Sequence, residues 1–171
     1  MTLPKFDRYE TLDVLGEGAM GTVYRALDPR LKREVAIKTV RPEFLRQNPG
    51  LRARFEREAT VVARLVHPAI VQVYDCGDDF LVMELIRGRE LKSLLREGRR
   101  FTPSQAAALL TPLADGLDHA HAAGVIHRDI KPANLFLDES GCPRLADFGI
   151  AKISHEAGEG LTATGDRKSV V

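Results

Sequence analysis

The sequence has no tryptophan, and its two cysteines, Cys76 and Cys142, lie far apart without the spacing of a metal site. Two distant cysteines do not build a disulfide framework, so reduced thiols with a structural role are expected. No apolar run approaches the roughly 20 residues that cross a membrane, and the first residues lack a signal-peptide pattern. These absences indicate a cytoplasmic protein, with no membrane segment in this chain.

Net charge is nearly absent as well, because 25 basic residues are balanced by 24 acidic ones and leave a charge of +1. Such a balance gives no signal for nucleic acid or for an anionic membrane surface. The chain also lacks internal repeats and low-complexity tracts. Its 171 residues, 44% hydrophobic and 29% charged, have the size and composition of one globular domain with a buried core.

Residues 125–149 concentrate the chemistry and read VIHRDIKPANLFLDESGCPRLADFG. Two short apolar runs flank a turn at Ser140–Gly141, which predicts a β-hairpin. Asp129 and Asn134 precede this hairpin and Asp147 closes it, so the three oxygen-bearing side chains are expected to converge on one cleft. Such ligands suit Mg²⁺ together with substrate phosphates, and they leave one carboxylate to act on a hydroxyl proton. The alternative is a polar hairpin whose Asp and Asn residues serve only the turn.

A glycine-rich turn follows the first predicted strand, which runs from Phe6 to Leu15. Gly16, Gly18 and Gly21 allow backbone amides to approach phosphates closely, because no side chain intervenes. A dinucleotide-binding turn has the same glycine spacing, but it needs a helix straight after the third glycine. The residues that follow, TVYRA, are rich in β-formers and favour a flap between two strands.

A lysine ends the next predicted strand, which alternates in polarity from Glu34 to Lys38. The alternation places Lys38 on the face opposite Ile37. An isolated strand lysine is usually a solvated surface charge, and that is the alternative to any specific role for Lys38.

A helix is predicted to begin at Leu51 and to stop at His67–Pro68. Its apolar face is formed by Phe55, Ala59, Val62 and Val66. Glu58 lies beside that face, where two kinds of partner are open to it. One is a distant lysine, and the other is an intrahelical arginine, Arg54 or Arg57.

Further strands and helices are predicted downstream. A second hairpin joins residues 70–74 to residues 80–85, and a short helix covers Leu91 to Arg96. A longer helix opens at residues 102–105 and runs to Ala123, with Pro112 expected to kink it. This helix has an apolar stripe that requires a partner surface, formed by Leu109, Leu113 and Leu117.

The string HRDIKPAN followed by DFG, together with GEGAMGTV and VAIK, resembles the catalytic domain of eukaryotic-like (Hanks-type) bacterial serine/threonine protein kinases. The resemblance implies a bilobal α+β fold. The N-terminal lobe, residues 6–86, is expected to be an antiparallel sheet with one long helix. Residues 87–165 are expected to form the first part of a helical C-terminal lobe.

The resemblance also implies catalytic roles. Asp129 would accept the proton of the substrate hydroxyl, and Lys131 belongs to the loop that is typical of serine/threonine kinases. Lys38 would bind the α- and β-phosphates and pair with Glu58, for which Glu56 is the near alternative. The reaction implied is transfer of the ATP γ-phosphoryl group to serine or threonine.

ATP and Mg²⁺ are the cofactors that the resemblance implies, with Mn²⁺ as an alternative metal. Asn134 and Asp147 would bind the metal. Met83 would be the gatekeeper beside the adenine, and Gly88 would mark the hinge between the lobes. In chain order, the nucleotide-binding residues are Gly16, Gly18, Gly21, Val23, Ala36, Lys38, Met83, Glu84, Ile86, Glu90 and Phe136.

The kinase pattern breaks after Asp-Phe-Gly, because the family continues with an activation segment that ends in Ala-Pro-Glu and no such string is present. The resemblance implies phosphorylation, including autophosphorylation, at Thr162 and Thr164. Arg128, expected to be a buried cation, would bind the phosphate.

Residues 166–171, DRKSVV, match no part of the family pattern and are also encoded in frame by a sequencing-adapter string. They are interpreted as a non-native tail, with a true frameshift as the alternative. Residues 1–165 are then an incomplete kinase domain. By itself it is expected to be inactive, with the apolar stripe of its long helix exposed.

Two other functions stay open. One is a nucleotide-binding pseudokinase or scaffold without phosphotransfer, and the other is a small-molecule kinase of related fold, against which the KPAN string counts. The partners implied are proteins that present Ser or Thr, with no nucleic acid. A membrane anchor elsewhere in the full-length protein stays open.

Overall fold

The computed structural model describes residues 3–18, 21–41, 43, 46 and 49–148, and these form two antiparallel sheets, three α-helices and a 3₁₀ turn, Pro132–Asn134. The strands are β1 (Glu10–Gly18), β2 (Gly21–Asp28), β3 (Arg33–Thr39), β4 (Val73–Cys76), β5 (Phe80–Glu84), β6 (Gly88–Glu90), β7 (Leu135–Asp138) and β8 (Pro143–Leu145). The α-helices are α1 (Pro49–Val62), α2 (Leu91–Arg96) and α3 (Pro103–Ala122).

The N-terminal sheet has the strand order β1-β2-β3-β5-β4, with every neighbouring pair antiparallel. The alternation along β3 separates its two faces, since successive side chains point to opposite sides. Val35 and Ile37 are fully buried on one face, in a cluster with Phe6, Tyr9 and Phe80. The other face of β3 is therefore free to carry the site.

The first strand begins later than predicted, at Glu10 instead of Phe6. Phe6 and Tyr9 form an isolated bridge around a turn in which Asp7 has φ +46°. Both aromatic rings are buried against the back of the sheet. Burial of these large side chains, each worth a few kcal/mol, explains why the segment folds over the sheet instead of extending the strand.

Helix α1 buries the predicted face as far as Val62, but its predicted C-terminal end is wrong. The helix stops at Val62, and turn hydrogen bonds follow, among them one from Leu65 N to Val62 O at 3.0 Å. The tighter turn rotates Leu65 into the core, where it is 1% exposed. Val66, predicted as part of the apolar face, is 73% exposed.

The second hairpin is confirmed as the antiparallel pair β4–β5, although its first strand starts three residues later than predicted. Ile70 instead forms a parallel bridge to Leu145 of β8, which joins the two sheets. The short helix α2 has the predicted bounds. Cys76 and Cys142 are free thiols.

Helix α3 begins with a capping box, because Thr102 and Gln105 each accept a hydrogen bond from the other's backbone amide. It continues through Pro112, and its apolar stripe, predicted to be exposed, is covered in part. Leu113 is only 7% exposed, and half-buried Leu117 packs against the same core as α1, whereas Leu109 is half-buried outside that core. Gly116 permits the helix to approach His67 closely, since a Cβ at residue 116 would lie 3.1 Å from His67 Nδ1.

The predicted hairpin of residues 125–149 is confirmed as β7–β8, and β6 extends it to three strands. Asp138 holds the turn, because its Oδ1 accepts hydrogen bonds from Ser140 N and Cys142 N, each at 2.9 Å. Strand β6, which ends at Glu90, lies beside β7, which follows the 3₁₀ turn Pro132–Asn134.

Several predicted features lie outside the described residues. They are the tip of the glycine-rich turn at residues 19–20, Gly149, the two threonines and residues 166–171. Among the helices that the structure does describe, none is long and apolar enough to cross a membrane.

Candidate active site

The strand lysine and the Asp of the DFG string meet directly. Lys38 Nζ lies 2.6 Å from Asp147 Oδ2, with both side chains largely but not completely buried. Lys38 is near the end of β3, and Asp147 follows β8, so the contact joins the N-terminal sheet to the hairpin. The hydrogen-bonded ion pair places one positive and one negative group in the same cleft.

The face of β3 that carries Lys38 also carries the predicted adenine-contacting residues. Strand pairing places Val23 opposite Lys38 and Met83 opposite Ala36, and cross-strand partners share a face of the sheet. Ala36 is buried, whereas Val23 and Met83 are half-buried. The structure thus brings this predicted apolar set together above Lys38 and Asp147.

The glycine-rich flap is anchored to the end of β3. Gly18 pairs with Gly21 next to the flap's tip, and Gly16 pairs with Val23. A Cβ at Gly21 would lie 1.8 Å from the Thr39 carbonyl oxygen, so only glycine fits there. Thr39 Oγ1 accepts from Thr22 N and donates to Thr22 O, both at 3.0 Å.

Asp129 is held from two sides within its own loop. Its Oδ2 lies 2.7 Å from Lys131 Nζ and accepts a hydrogen bond from Asn134 Nδ2 at 3.0 Å. Asn134 Nδ2 also donates to the Asp129 carbonyl at 2.8 Å. Burial raises the pKa of the Asp129 carboxyl, but the hydrogen bonds from Lys131 and Asn134 outweigh it and the pKa lies below its usual value. Asp129 is therefore ionised at neutral pH.

His127 is a site residue to which sequence reasoning assigned no role. Its Nδ1 accepts from Asp129 N at 3.2 Å, so Nε2 carries the proton and donates to the Ala146 carbonyl at 2.8 Å. The ring is fully buried and packs edge-on against Phe148, with centroids 4.6 Å apart. Burial lowers the pKa of His127, which keeps the ring neutral. The signal in the sequence that could have indicated this role is a titratable residue directly after Ile126 and two residues before Asp129.

The two predicted metal ligands lie on neighbouring segments. Ala146 N donates to the Asn134 carbonyl at 2.9 Å, and Asp147 comes next in the chain. Within the described ranges there is no group of three or more His, Cys, Asp or Glu side chains that could hold a metal by itself. One carboxylate and one amide fit a metal ion that takes its remaining ligands from phosphate oxygens and water, as Mg²⁺ does.

The predicted pair between Glu58 and Lys38 is wrong for this structure. Glu58 Oε1 accepts from Arg54 Nε at 3.1 Å, one helical turn away, which is the intrahelical alternative. Lys38 pairs instead with Asp147. Glu58 Oε2 is buried and has no hydrogen-bond partner among the residues described.

The expectation that Arg128 is buried is also wrong, because its side chain is exposed. Arg128 and Asp147 adopt φ of +66° and +65°, in the left-handed region that non-glycine residues rarely occupy. Arg128 lines a cleft with Arg57 and Glu58 of α1. The side chain thus faces the helix across an open space.

The link between the sheets carries the remaining predicted residues. The Glu84 carboxylate at the end of β5 accepts a hydrogen bond from Arg144 of β8, and Ile86 follows half-buried. Phe136 is paired with Glu90 on one side and with Arg144 on the other. Glu90, Phe136 and Arg144 thus lie side by side across the three-stranded sheet. Glu84 connects that sheet to the N-terminal one through Arg144.

A five-stranded sheet with a glycine-rich flap, set against a hairpin that carries Asp129 and Asp147, is the architecture that the sequence resemblance implied. The chain belongs to the protein kinase domain family, which it matches over residues 9–168. The predicted α+β kinase fold is thereby confirmed.

Its relatives are bacterial serine/threonine-protein kinases. The chain is 44% identical over 165 residues to a probable serine/threonine-protein kinase of Streptomyces coelicolor, covering 92% of the chain and 24% of the relative. It is 42% identical over 165 residues to the serine/threonine-protein kinase PknD of Mycobacterium tuberculosis, covering 94% and 24%. The chain thus spans about a quarter of the length of these relatives.

Among solved structures, the chain is similar to the Mycobacterium tuberculosis PknI kinase domain. The TM-score is 0.78 at 34% sequence identity, over 86% of this chain and 60% of the PknI chain.

Proposed function

We propose that this chain carries the nucleotide-binding and catalytic groups of a protein kinase that transfers the γ-phosphoryl group of ATP to serine or threonine hydroxyls of proteins. The observation that supports the proposal is a chain of contacts: Lys38 pairs with Asp147, Ala146 next to Asp147 donates to the Asn134 carbonyl, and the Asn134 side chain donates to Asp129. In the transfer, the bond from the γ-phosphorus to the leaving oxygen breaks and a bond to the substrate oxygen forms.

Asp129 is suited to orient the substrate hydroxyl and to take its proton. Oδ2 is engaged by Lys131 and Asn134, so Oδ1 is the oxygen proposed to accept from the hydroxyl. A carboxylate with a lowered pKa is a weak base. It fits a loose transition state, in which the hydroxyl loses its proton late and positioning dominates the rate.

Asn134 and Asp147 are proposed to hold Mg²⁺, or Mn²⁺ in its place, through the amide and carboxylate oxygens. The bound ion would neutralise phosphate charge and orient the γ-phosphoryl group. Lys38, which now neutralises Asp147, is available to the α- and β-phosphates when Asp147 turns to the metal. The apolar face formed by Val23, Ala36 and Met83 supplies the adenine contacts in this proposal.

Glu58 is proposed to replace Asp147 as the partner of Lys38 in the catalytic state. Its Oε2 is a buried acceptor without a partner in the described structure, which is a costly arrangement that a lysine ammonium would relieve. The present pairing of Glu58 with Arg54 would then be a resting state of the site.

Calorimetric titration of the chain with ATP and Mg²⁺ tests the assignment. Lys38→Met and Asp147→Asn should each weaken binding about tenfold or more, because each removes a charge that faces the phosphates. Asp129→Asn should leave the affinity within about twofold while it abolishes transfer in the full-length protein, since a base contributes to the rate and not to nucleotide binding. Unchanged affinity in both Lys38→Met and Asp147→Asn would refute the site.

Nucleotide binding without transfer is the second candidate function. The observation that favours it is that Lys38 and Glu58 are not paired with each other. Tight ATP binding by the full-length protein, with no phosphate incorporated into protein substrates or into itself, would select this alternative.

Regulation is proposed to act through Thr162 and Thr164. Arg57 and Arg128 line one cleft beside α1, and no ion pair engages either arginine within the part of the chain that the structure describes. A phosphothreonine would supply the missing anion, whether added by the enzyme itself or by a partner. Alanine at both threonines should lower the activity of the full-length protein; unchanged activity would exclude this switch.

A further inference from the structure

A strongly basic segment follows the link between the two sheets. Residues 87–100 read RGRELKSLLREGRR, with six basic and two acidic residues and a net charge of +4. The whole chain carries only +1, so the remaining residues carry a net charge of −3. The excess positive charge of the chain is thus concentrated in 14 residues.

The basic side chains of this segment are all exposed. Two of them have acidic partners: Arg87 lies 3.5 Å from Glu34 and Arg89 pairs with Glu97. The other four have no ion-pair partner anywhere in the described ranges, and they are Lys92, Arg96, Arg99 and Arg100. Lys92 and Arg96, one turn apart, share the outer side of α2, and Arg99 and Arg100 follow its end.

This basic surface, defined as Lys92, Arg96, Arg99 and Arg100, lies beside the catalytic loop. Helix α2 packs against the 3₁₀ turn Pro132–Asn134. Asn134 is bonded to Asp129. The strand just before α2 pairs with β7, which leaves the same turn. A polypeptide whose hydroxyl reaches Asp129 therefore lies close to the helix from which this basic surface extends.

A run of exposed charge is most often a solvated face of no specific role. Two observations count against that here. The nearby carboxylate, Glu97, is engaged by Arg89, which leaves these four cations without an ion-pair partner among the described residues. The helix that carries Lys92 and Arg96 also packs against the turn that holds Asn134. We propose that the basic surface binds an acidic segment of the protein substrate, next to the Ser or Thr that is phosphorylated.

This inference rests on the proposed function and names its substrate class. Glutamate and aspartate side chains would pair with the guanidinium and ammonium groups at the rim of the cleft, where water screens each contact. Several weak pairs then add to substrate affinity and to the rate of encounter, with little effect on the chemical step.

The test compares two labelled peptides by fluorescence anisotropy on the 171-residue chain. One carries several Glu and Asp residues around a single Thr, and the other has Gln and Asn at those positions. The acidic peptide should bind about tenfold more tightly, because several exposed ion pairs each contribute a modest amount. Rising salt should erase the difference, since exposed charges are screened.

The variant Arg96→Glu, Arg99→Glu, Arg100→Glu should lose this preference. Its matched control, Lys5→Glu, Arg30→Glu, Lys32→Glu, changes the charge equally at exposed positions of the N-terminal lobe and should keep it. Glutamine at residues 96, 99 and 100 should give an intermediate loss of the preference for the acidic peptide. This variant provides a second test if the charge-reversed chain does not fold. In an active full-length enzyme, the charge reversal should raise KM for the acidic peptide and leave kcat unchanged.

ATP titrations on the same samples separate the two proposals. Absent ATP binding with intact peptide discrimination would refute the proposed function and keep the acidic-segment site. Equal binding of the two peptides, or equal loss in the variant and its control, would overturn the inference. Tighter binding of phosphatidylserine vesicles or of an oligonucleotide than of the acidic peptide, lost in the Arg variant alone, would overturn it in favour of that partner.

Discussion

His127 shows how a single residue organises the catalytic loop. Its ring bonds the backbone of the two segments that flank the β7–β8 hairpin, at Asp129 N and at the Ala146 carbonyl. It does so only as the neutral tautomer, because Nδ1 must accept while Nε2 donates. The loop geometry therefore depends on the protonation state of a residue that does not face the substrate.

Stability should fall in mildly acidic solution because of this histidine. The pKa of His127 is lowered by burial, whereas an unfolded histidine titrates near about 6.5. Between these two values the unfolded chain binds more protons than the native one, so the free energy of unfolding decreases as pH falls below about 6.5. Urea melts from about pH 7.5 to pH 5 measure this slope.

His127→Gln is the matched variant for that experiment. It should be less stable at every pH, since one of the buried hydrogen bonds is lost, but its slope over the same interval should be shallower than that of the parent chain. Parallel slopes in the two proteins would show that His127 is not the group that titrates.

At the scale of elements, the end of β3 controls the glycine-rich flap. Thr39 bonds both backbone groups of Thr22, and Arg41 Nη2, just after β3, donates to the Gly18 carbonyl at 3.0 Å, so the end of β3 and the residues after it hold both strands of the flap. Val40 N in turn donates to the Asp79 carbonyl at 2.7 Å. The flap is thereby fixed to the body of the sheet close to its tip.

Thr39→Val should weaken ATP binding several-fold, because the isosteric side chain cannot bond Thr22 and leaves a backbone amide unsatisfied, at about 1–3 kcal/mol. Thr39→Ser retains the hydroxyl and should bind ATP like the parent chain. Calorimetry on the two variants measures the difference; equal affinities would mean that the flap is positioned by strand pairing alone.

The segment after α1 offers a second test at this scale. Leu65→Ala should cost about 2–5 kcal/mol of unfolding free energy, because it creates a cavity in the core. Val66→Ala should change the stability by less than about 0.5 kcal/mol, because that side chain lies on the surface. Chemical denaturation of both variants measures the two effects. A larger loss for Val66→Ala than for Leu65→Ala would support the longer helix predicted from sequence.

The elements were largely predictable from sequence, whereas several side-chain pairings were not. Polar alternation predicted β3 and the hairpin turn predicted β7–β8, since both signals are local. Val66 was misplaced because one tight turn after Val62 shifts the face that is buried. The partner of Glu58 depends on how far α1 lies from β3, a distance that no local pattern encodes.

At the scale of the whole molecule, the two sheets share one buried core, and a few ion pairs add polar contacts between them. Arg144 of β8 donates to the Glu84 carboxylate and, at 3.3 Å, to the Ile70 carbonyl, and both charged side chains are mostly buried. Lys38 pairs with Asp147 after β8, and Glu34 of β3 lies 3.5 Å from Arg87, just before β6. Relative movement of the lobes should therefore be sensitive to Arg144.

Arg144→Met should destabilise the chain by about 3 kcal/mol, because it leaves the Glu84 carboxylate without its partner in a partly buried position. Glu84→Gln with Arg144→Met should recover part of that loss, since no unpaired charge remains. Denaturation of the single and double variants gives the coupling free energy; a value near zero would mean that the pair does not connect the sheets.

Arg128 and Asp147 both adopt the left-handed conformation, one before Asp129 and the other after β8. A non-glycine residue in that conformation costs about 1–2 kcal/mol, so these positions oppose stability to the function proposed for them. Asparagine tolerates the conformation better, so Arg128→Asn is expected to raise the melting temperature of a chain that loses the cation proposed to bind phosphothreonine. Variants selected only for thermal resistance should therefore accumulate at these positions and drift away from catalysis. The variant with the highest melting temperature is therefore expected to differ in sequence from the variant with the highest activity.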